Sequence, residues 1–211
     1  MSEDVTLMVD GDEYPGRLDT PAEPTGRGIL VVPGAGHGPF GDVFLRFGRA
    51  AADEGYQVAR FETWMSPDDI ESKTDEAFRA DLQAGVEFLR DRGCSTVAVV
   101  AKSFGGRLAL EHTPDGIDRL VPWAPAVIVE GTEGVPEEVT DALPTMSAAE
   151  LRDVEVPIRV LQGDEDGIPL ESAAALADAV PDGELVTLPG EDHSFLTDHE
   201  RVIEETLAAL N

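Results

Sequence analysis

Ser103 lies in the run Val99-Val100-Ala101-Lys102-Ser103-Phe104-Gly105-Gly106-Arg107, where an apolar pattern fit for a buried strand gives way within three residues to a helical one. A serine on such a tight strand-to-helix turn has its hydroxyl lifted clear of the sheet, and the new helix aims unpaired N–H groups at negative charge developing beside it. The turn needs small neighbours, which Gly105 and Gly106 supply; the usual G-x-S-x-G pattern here has Ala101 at its first glycine, so a methyl must fit against the turn. A serine hydroxyl is a weak nucleophile until a base takes its proton, and a carboxylate must fix the tautomer of that base. Three other loops carry groups of those kinds: Pro33-Gly34-Ala35-Gly36-His37-Gly38, Asp164-Glu165-Asp166, and Pro189-Gly190-Glu191-Asp192-His193-Ser194. In chain order this is a glycine-rich loop, a serine, an acid and a histidine.

The elements that must position these groups are short apolar runs alternating with amphipathic stretches. Strands are expected at Gly28–Val32, Tyr56–Phe61, Thr96–Ala101, Ile117–Val121, Ile158–Gln162 and Glu184–Leu188, each bounded by Gly or Pro. Helices are expected at Asp42–Glu54, Lys73–Arg92, Phe104–His112, Leu170–Val180 and Thr197–Leu210, where apolar residues recur at three-and-four spacing, as in Phe78, Leu82, Val86 and Leu89. Alternation of this kind makes βαβ units, hence an α/β fold with a mainly parallel central sheet and helices on both faces. In such a sheet reactive groups collect in loops at the carboxyl ends of strands, and all four loops above follow expected strands. Residues 1–26 are expected to give an antiparallel edge pair turning at Asp10-Gly11-Asp12, then a Pro-containing linker. Residues 125–146, rich in Pro, Gly and Glu, have no clear period and are expected to cross over the sheet as a connection or small lid.

The chain has 211 residues, 42% of them hydrophobic, enough for one domain with a sizeable core. Its acidic first twenty residues do not read as a secretion signal, and no apolar run reaches the length of a spanning helix, so a soluble cytoplasmic protein is expected. There are 43 acidic residues against 15 basic ones, a net charge of −28. That excludes a nucleic-acid surface, which needs clustered Lys and Arg. Self-repulsion of this size is screened by salt, so the composition matches that of a halophilic cytoplasmic protein. The lone Cys94 cannot form an internal disulfide and reads as a packed thiol. No zinc spacing and no phosphate-binding glycine motif is present; no cofactor and no metal are expected.

The motifs together make the chain resemble an α/β-hydrolase, of the small, nearly lidless, dienelactone-hydrolase-like kind. The pieces that carry the resemblance are Val31-Val32-Pro33-Gly34-Ala35-Gly36, Lys102-Ser103-Phe104-Gly105-Gly106-Arg107, Leu161-Gln162-Gly163-Asp164-Glu165-Asp166-Gly167-Ile168-Pro169 and Gly190-Glu191-Asp192-His193-Ser194-Phe195. It departs from the pattern at Pro33, where the superfamily often has histidine, at Ala101, and in carrying serine where dienelactone hydrolases proper carry cysteine. The resemblance implies that Ser103 is the nucleophile and His193 its base. Asp164 and Asp166 both qualify as the acid; the related pattern, which counts three residues on from Gly163, selects Asp166. It also implies an oxyanion hole from the N–H groups of Phe104 and Ala35, with Gly34 and Gly36 allowing close approach of substrate.

Other residues are weighed beside these. His112 ends a helix and His199 lies within one, whereas His37, in the glycine-rich loop, could touch substrate. Lys102, one of only two lysines, could meet a substrate carboxylate or pair with an acid such as Glu62. Arg60 and Glu62 are candidates to line the cleft, and Trp64, Phe40, Trp123 and Met146 to form an apolar acyl pocket. The function expected is a serine hydrolase acting through an acyl-enzyme on a small ester, thioester or lactone. The alternatives are a binding or scaffold protein that keeps the fold, and an acyltransferase using the same acyl-enzyme.

Overall fold

The computed structural model describes every residue but His37, and of Asp42 the backbone alone. Its strands are β1 (Ser2–Val9), β2 (Asp12–Asp19), β3 (Arg27–Val32), β4 (Tyr56–Phe61), β5 (Thr96–Lys102), β6 (Arg119–Trp123), β7 (Ile128–Val129), β8 (Thr145–Met146), β9 (Ile158–Gly163) and β10 (Gly183–Leu188). Eight of them form one sheet in the order β1-β2-β4-β3-β5-β6-β9-β10. From β4 to β10 neighbours run parallel; β1 and β2 are the antiparallel edge. The edge hairpin turns at Asp10 and Gly11, both at positive φ (51° and 100°), the backbone that a tight two-residue hairpin requires.

Period-two alternation distributes the strands' side chains between two cores. Ile29 and Val31 of β3 pack with helices α1 (Asp42–Asp53) and α8 (His199–Leu210), while Leu30 and Val32 face the opposite layer, with α3 (Asp75–Asp91), α4 (Phe104–Glu111), α6 (Ala148–Arg152) and α7 (Leu170–Ala179). Two short helices, α2 (Pro67–Ser72) and α5 (Glu137–Ala142), escape any periodicity argument because they span barely more than a turn. A capping box between Ser66 and Asp69 starts α2. Among the described residues no helix is long and apolar enough to cross a membrane.

Two expectations are corrected, for β6 and for Arg60, and the connection at residues 125–146 gains definite elements. β6 lies two residues later than Ile117–Val121 and includes Pro122. Its ladder to β9 pairs Leu120 with Ile158 and Trp123 with Leu161, leaving a gap where Pro122 has no N–H to give. Arg60 does not reach the cleft: it is wholly buried within β4 and paired with the buried Asp19. Residues 125–146 hold β7 and β8, a small parallel pair with α5 between them. Val127, Val129 and Met146 are buried there, and Ser172 of α7 accepts from the Val129 N–H (3.2 Å) and donates to the Val127 carbonyl. The segment is thereby packed on α7, and none of its residues lines the cleft described next.

Candidate active site

Ser103 stands between β5 and α4 at φ 53°, ψ −118°, a left-handed backbone uncommon for any side chain but glycine. Its neighbours hold it there. The Ser103 N–H donates to the Trp123 carbonyl (2.8 Å), and its own carbonyl accepts from Ala126 and Arg107 (3.0 Å each). The turn also requires Gly105 and Gly106: a Cβ at 105 would come within 2.4 Å of the Pro33 carbonyl oxygen, and one at 106 within 3.0 Å of that of Ala101. The methyl of Ala101 is accommodated, wholly buried in the α3-side core.

Across the cleft, His193 Nε2 lies 2.9 Å from Ser103 Oγ, and Nδ1 lies 3.0 Å from Asp166 Oδ2 and 3.2 Å from Oδ1. With the proton on Nδ1 donated to Asp166, Nε2 is left as an acceptor for the serine hydroxyl. The Asp166 side chain is 1% exposed, against 40% for His193, and its Oδ1 also accepts the Ile168 N–H at 2.8 Å, which fixes its direction. Asp164 has a different place: its carboxylate accepts the Gly190 N–H (2.7 Å), bracing the histidine loop.

That loop is held from several sides. The fully buried Glu191 carboxylate accepts N–H groups from Thr197 (3.2 Å) and Asp198. The Glu191 carbonyl accepts the Glu165 N–H (3.0 Å) and sits where a Cβ on Gly163 would be, at 2.1 Å. Phe195 takes φ 58° with its ring fully buried against Trp123, which sends Leu196 outward. The Lys102 ammonium donates to the His193 carbonyl at 2.6 Å, not to Glu62. Burial pushes the Lys102 ammonium below its ordinary pKa, with Asp166 and Asp192 opposing in part.

On the other wall, Phe104 opens α4, so its N–H belongs to the first turn and has no intrahelical partner. Its ring meets Trp64 and Phe78 edge-on (5.5 Å each), and the Trp64 indole N–H donates to the Gly34 carbonyl (3.1 Å). One aromatic cluster thus ties the glycine-rich loop to the start of α4. Gly34 passes so close that a Cβ would lie 3.2 Å from that of Ser103.

These groups open on a cleft of about 370 Å³, lined by Gly34, Ala35, Gly36, Gly41, Val43, Phe44, Lys102, Ser103, His193, Ser194 and Leu196. Its apolar wall is Val43, Phe44 and Leu196, none of which the sequence pattern singles out. The residues expected to form that wall lie elsewhere. Trp123 is buried beneath it, stacked on Phe44 (5.7 Å, 9°); Trp64 is buried in the aromatic cluster; Phe40 and Met146 line separate hollows. Phe44 carries one usable signal, an aromatic in the first turn of a helix that follows the glycine-rich loop. His37 lies outside the described residues.

The model of the dienelactone hydrolase family matches residues 42–210. No curated protein matches. Among solved structures, Est1E from Butyrivibrio proteoclasticus with bound ferulic acid is 17% identical, with a TM-score of 0.78 over 98% of this chain and 99% of that one. XC6422 from Xanthomonas campestris, described as an a/b serine hydrolase without lid, is 19% identical, with a TM-score of 0.72 over 99% and 93%. Dienelactone hydrolase from Anabaena variabilis is 16% identical, with a TM-score of 0.75 over 100% and 96%. The likenesses in structure show the α/β-hydrolase fold.

Proposed function

This chain belongs to the dienelactone hydrolase family and is a hydrolase acting on ester bonds, and on that premise we propose that it works as a single-domain serine hydrolase through Ser103, His193 and Asp166. The observation that carries the reading is the unbroken chain of hydrogen bonds, 2.9 Å from Ser103 Oγ to His193 Nε2 and 3.0 Å from Nδ1 to Asp166 Oδ2, at the wall of an open cleft.

Ser103 Oγ attacks the carbonyl carbon of the ester while its proton passes to His193 Nε2. Asp166 holds the Nδ1 proton and stabilises the imidazolium that forms. The carbonyl oxygen, now negative, is met by the N–H groups of Phe104 and Ala35, with the α4 N-terminus behind the first. His193 then returns the proton to the leaving alcohol or thiol, and water, activated by the same imidazole, releases the acyl group. Gly34 and Gly36 let substrate lie against the backbone of the glycine-rich loop, and Val43, Phe44 and Leu196 take its apolar part. Substrates of this kind are small esters, thioesters or lactones; Est1E, whose fold this chain shares, is described with ferulic acid bound. The acidity of the chain, screened best in high salt, supports our proposal that the protein works in a salt-rich cytoplasm.

The test is labelling with a fluorophosphonate in high salt, followed by mass spectrometry of the modified peptide. An adduct on Ser103 that His193→Ala abolishes is the expected result. No adduct on a folded sample would transfer the reading to a binding protein that keeps the turn as architecture.

A further inference from the structure

Only two of the fifteen basic residues are lysine, and their partners differ: Lys73 is ion-paired with Asp81 and also meets a backbone carbonyl, whereas the bond of Lys102 is to a backbone carbonyl. Lys73 donates to the Thr63 carbonyl (2.8 Å), one residue before the Trp64 that holds Gly34. Lys102 donates to the carbonyl of His193 itself (2.6 Å). In a chain with 43 carboxylates, Lys102 makes no ion pair among the described residues. An ammonium taken largely out of water with no carboxylate in contact is costly, a cost that the charges of Asp166 and Asp192 offset only in part, and what it gains in return is a charge-assisted bond to one backbone atom.

That atom matters because of what the bond closes. Lys102 is joined through its peptide to Ser103; Ser103 Oγ is bonded to His193 Nε2; and the His193 carbonyl returns to Lys102 Nζ. Two points of His193, ring and backbone, are therefore referred to adjacent residues of one rigid turn. The ring bonds to Ser103 and Asp166 hold the imidazole, and the bond from Lys102 holds the backbone that carries it. The same ammonium lies 5.5 Å from the centroid of the Phe195 ring, the residue in left-handed conformation that ends the His193 segment. Lysine suits the role because it is a compact point donor, where the planar fork of arginine matches paired acceptors.

We infer that Lys102 is a positioning residue for the base, tying the His193 backbone to the nucleophile turn so that Nε2 is presented to Ser103 Oγ. This rests on the serine-hydrolase reading above. It also departs from both roles weighed for Lys102, a contact with a substrate carboxylate and an ion pair with an acid such as Glu62, since the ammonium's partner is a backbone carbonyl of the protein.

The experiment compares wild type with Lys102→Met on p-nitrophenyl acetate and on a p-nitrophenyl ester bearing a free carboxylate, together with the rate of fluorophosphonate labelling at Ser103. In the Met variant kcat and the labelling rate are expected to fall together by about 10- to 100-fold, with KM for both esters within about 2-fold of wild type. Lys102→Cys supplies the rescue: alkylation with 2-bromoethylamine rebuilds an ammonium at lysine length, and Cys94, 2% exposed, is shielded from the reagent. Activity should return on alkylation of this variant and stay unchanged in treated wild type. That comparison uses one polypeptide before and after modification, so it decides the matter even if the Met variant fails to fold. Wild-type kcat in Lys102→Met, no recovery on alkylation of a folded Cys variant, or a loss confined to KM for the carboxylate ester would each overturn the proposal. Failure of wild type to label at Ser103 would sink the serine-hydrolase reading and the proposal with it, and is seen before any Lys102 variant is made.

Discussion

Gly163 and Gly167 flank the Asp166 loop, and the structure separates them sharply. A Cβ built on Gly163 falls 2.1 Å from the Glu191 carbonyl oxygen and 2.7 Å from its carbon, whereas one on Gly167 meets nothing within 4 Å. Neither glycine has positive φ, so alanine is free of backbone strain at both. For Gly163→Ala to reach ordinary contact near 3.4 Å, the end of β9 and the 189–193 loop must part by about 1.3 Å. Both contacts are backbone, so no rotamer change relieves them. His193 is two residues from Glu191 and bonded at 2.9 and 3.0 Å to partners on the other side of that gap. Misplacement by about 1 Å costs on the order of 100-fold in rate, and the overlap itself costs about 1–3 kcal/mol of stability. Steady-state hydrolysis of p-nitrophenyl acetate with thermal unfolding in the same buffer measures both. Gly163→Ala should lose about 100-fold in kcat and several degrees in Tm, with Gly167→Ala close to wild type in each. Wild-type kcat in Gly163→Ala would refute the reasoning, and so would equal losses in the two variants.

Three more expectations can be checked with the same assay. Asp166→Asn should lower kcat by about 10³- to 10⁴-fold by disturbing the imidazole tautomer, while Asp164→Asn, which weakens one brace to Gly190, should stay within about 10-fold; the reverse order would reassign the acid. Leu196→Asp places a carboxylate on the cleft wall: at roughly 8 Å and an effective dielectric near 20 it raises the energy of an oxyanion by about 2 kcal/mol, or about 30-fold in kcat, and Leu196→Ala should show none of that kcat loss on p-nitrophenyl acetate. Dialysis from molar salt to a few millimolar should remove the folded signal by circular dichroism, because a net charge of −28 is then unscreened; an unchanged Tm would count against the salt-adapted reading.

The strands and the order of the strand-end loops were legible because they depend on local pattern. Tyr56–Phe61 is bounded in the structure where its apolar run is bounded in the sequence, and Ile158 and Leu170 start their elements as expected. What escaped was decided by docking between distant parts of the chain. Trp123 and Phe44 read alike as apolar, yet one is buried beneath the cleft and the other forms its wall, a choice set by how the aromatic rings of α1 dock on Trp123 at the end of β6. The Lys102 partner is a carbonyl 91 residues away, and a backbone acceptor leaves no trace in side-chain identity. Gly163 reads in the sequence as a marker for counting to the acid; its physical reason, the passage of Glu191, exists only once β9 and β10 pair in register, Gly163 against Leu188.

The acidity of the chain and the make-up of the cleft follow from separate demands. With 43 carboxylates in 211 residues, about one position in five is acidic, yet no acid is among the described residues lining the cleft. Asp166, the carboxylate bonded to His193, is 1% exposed, with the imidazole between it and the serine. A carboxylate about 6 Å from a developing oxyanion opposes it by about 3 kcal/mol at an effective dielectric near 20, roughly 100-fold in rate. On the outer surface the same group is hydrated and, in salt, screened within about a Debye length. Negative charge can therefore accumulate over the whole exterior without touching the reaction, provided the few residues facing the serine are glycine, apolar groups and a lysine whose ammonium is held in place by the backbone of His193.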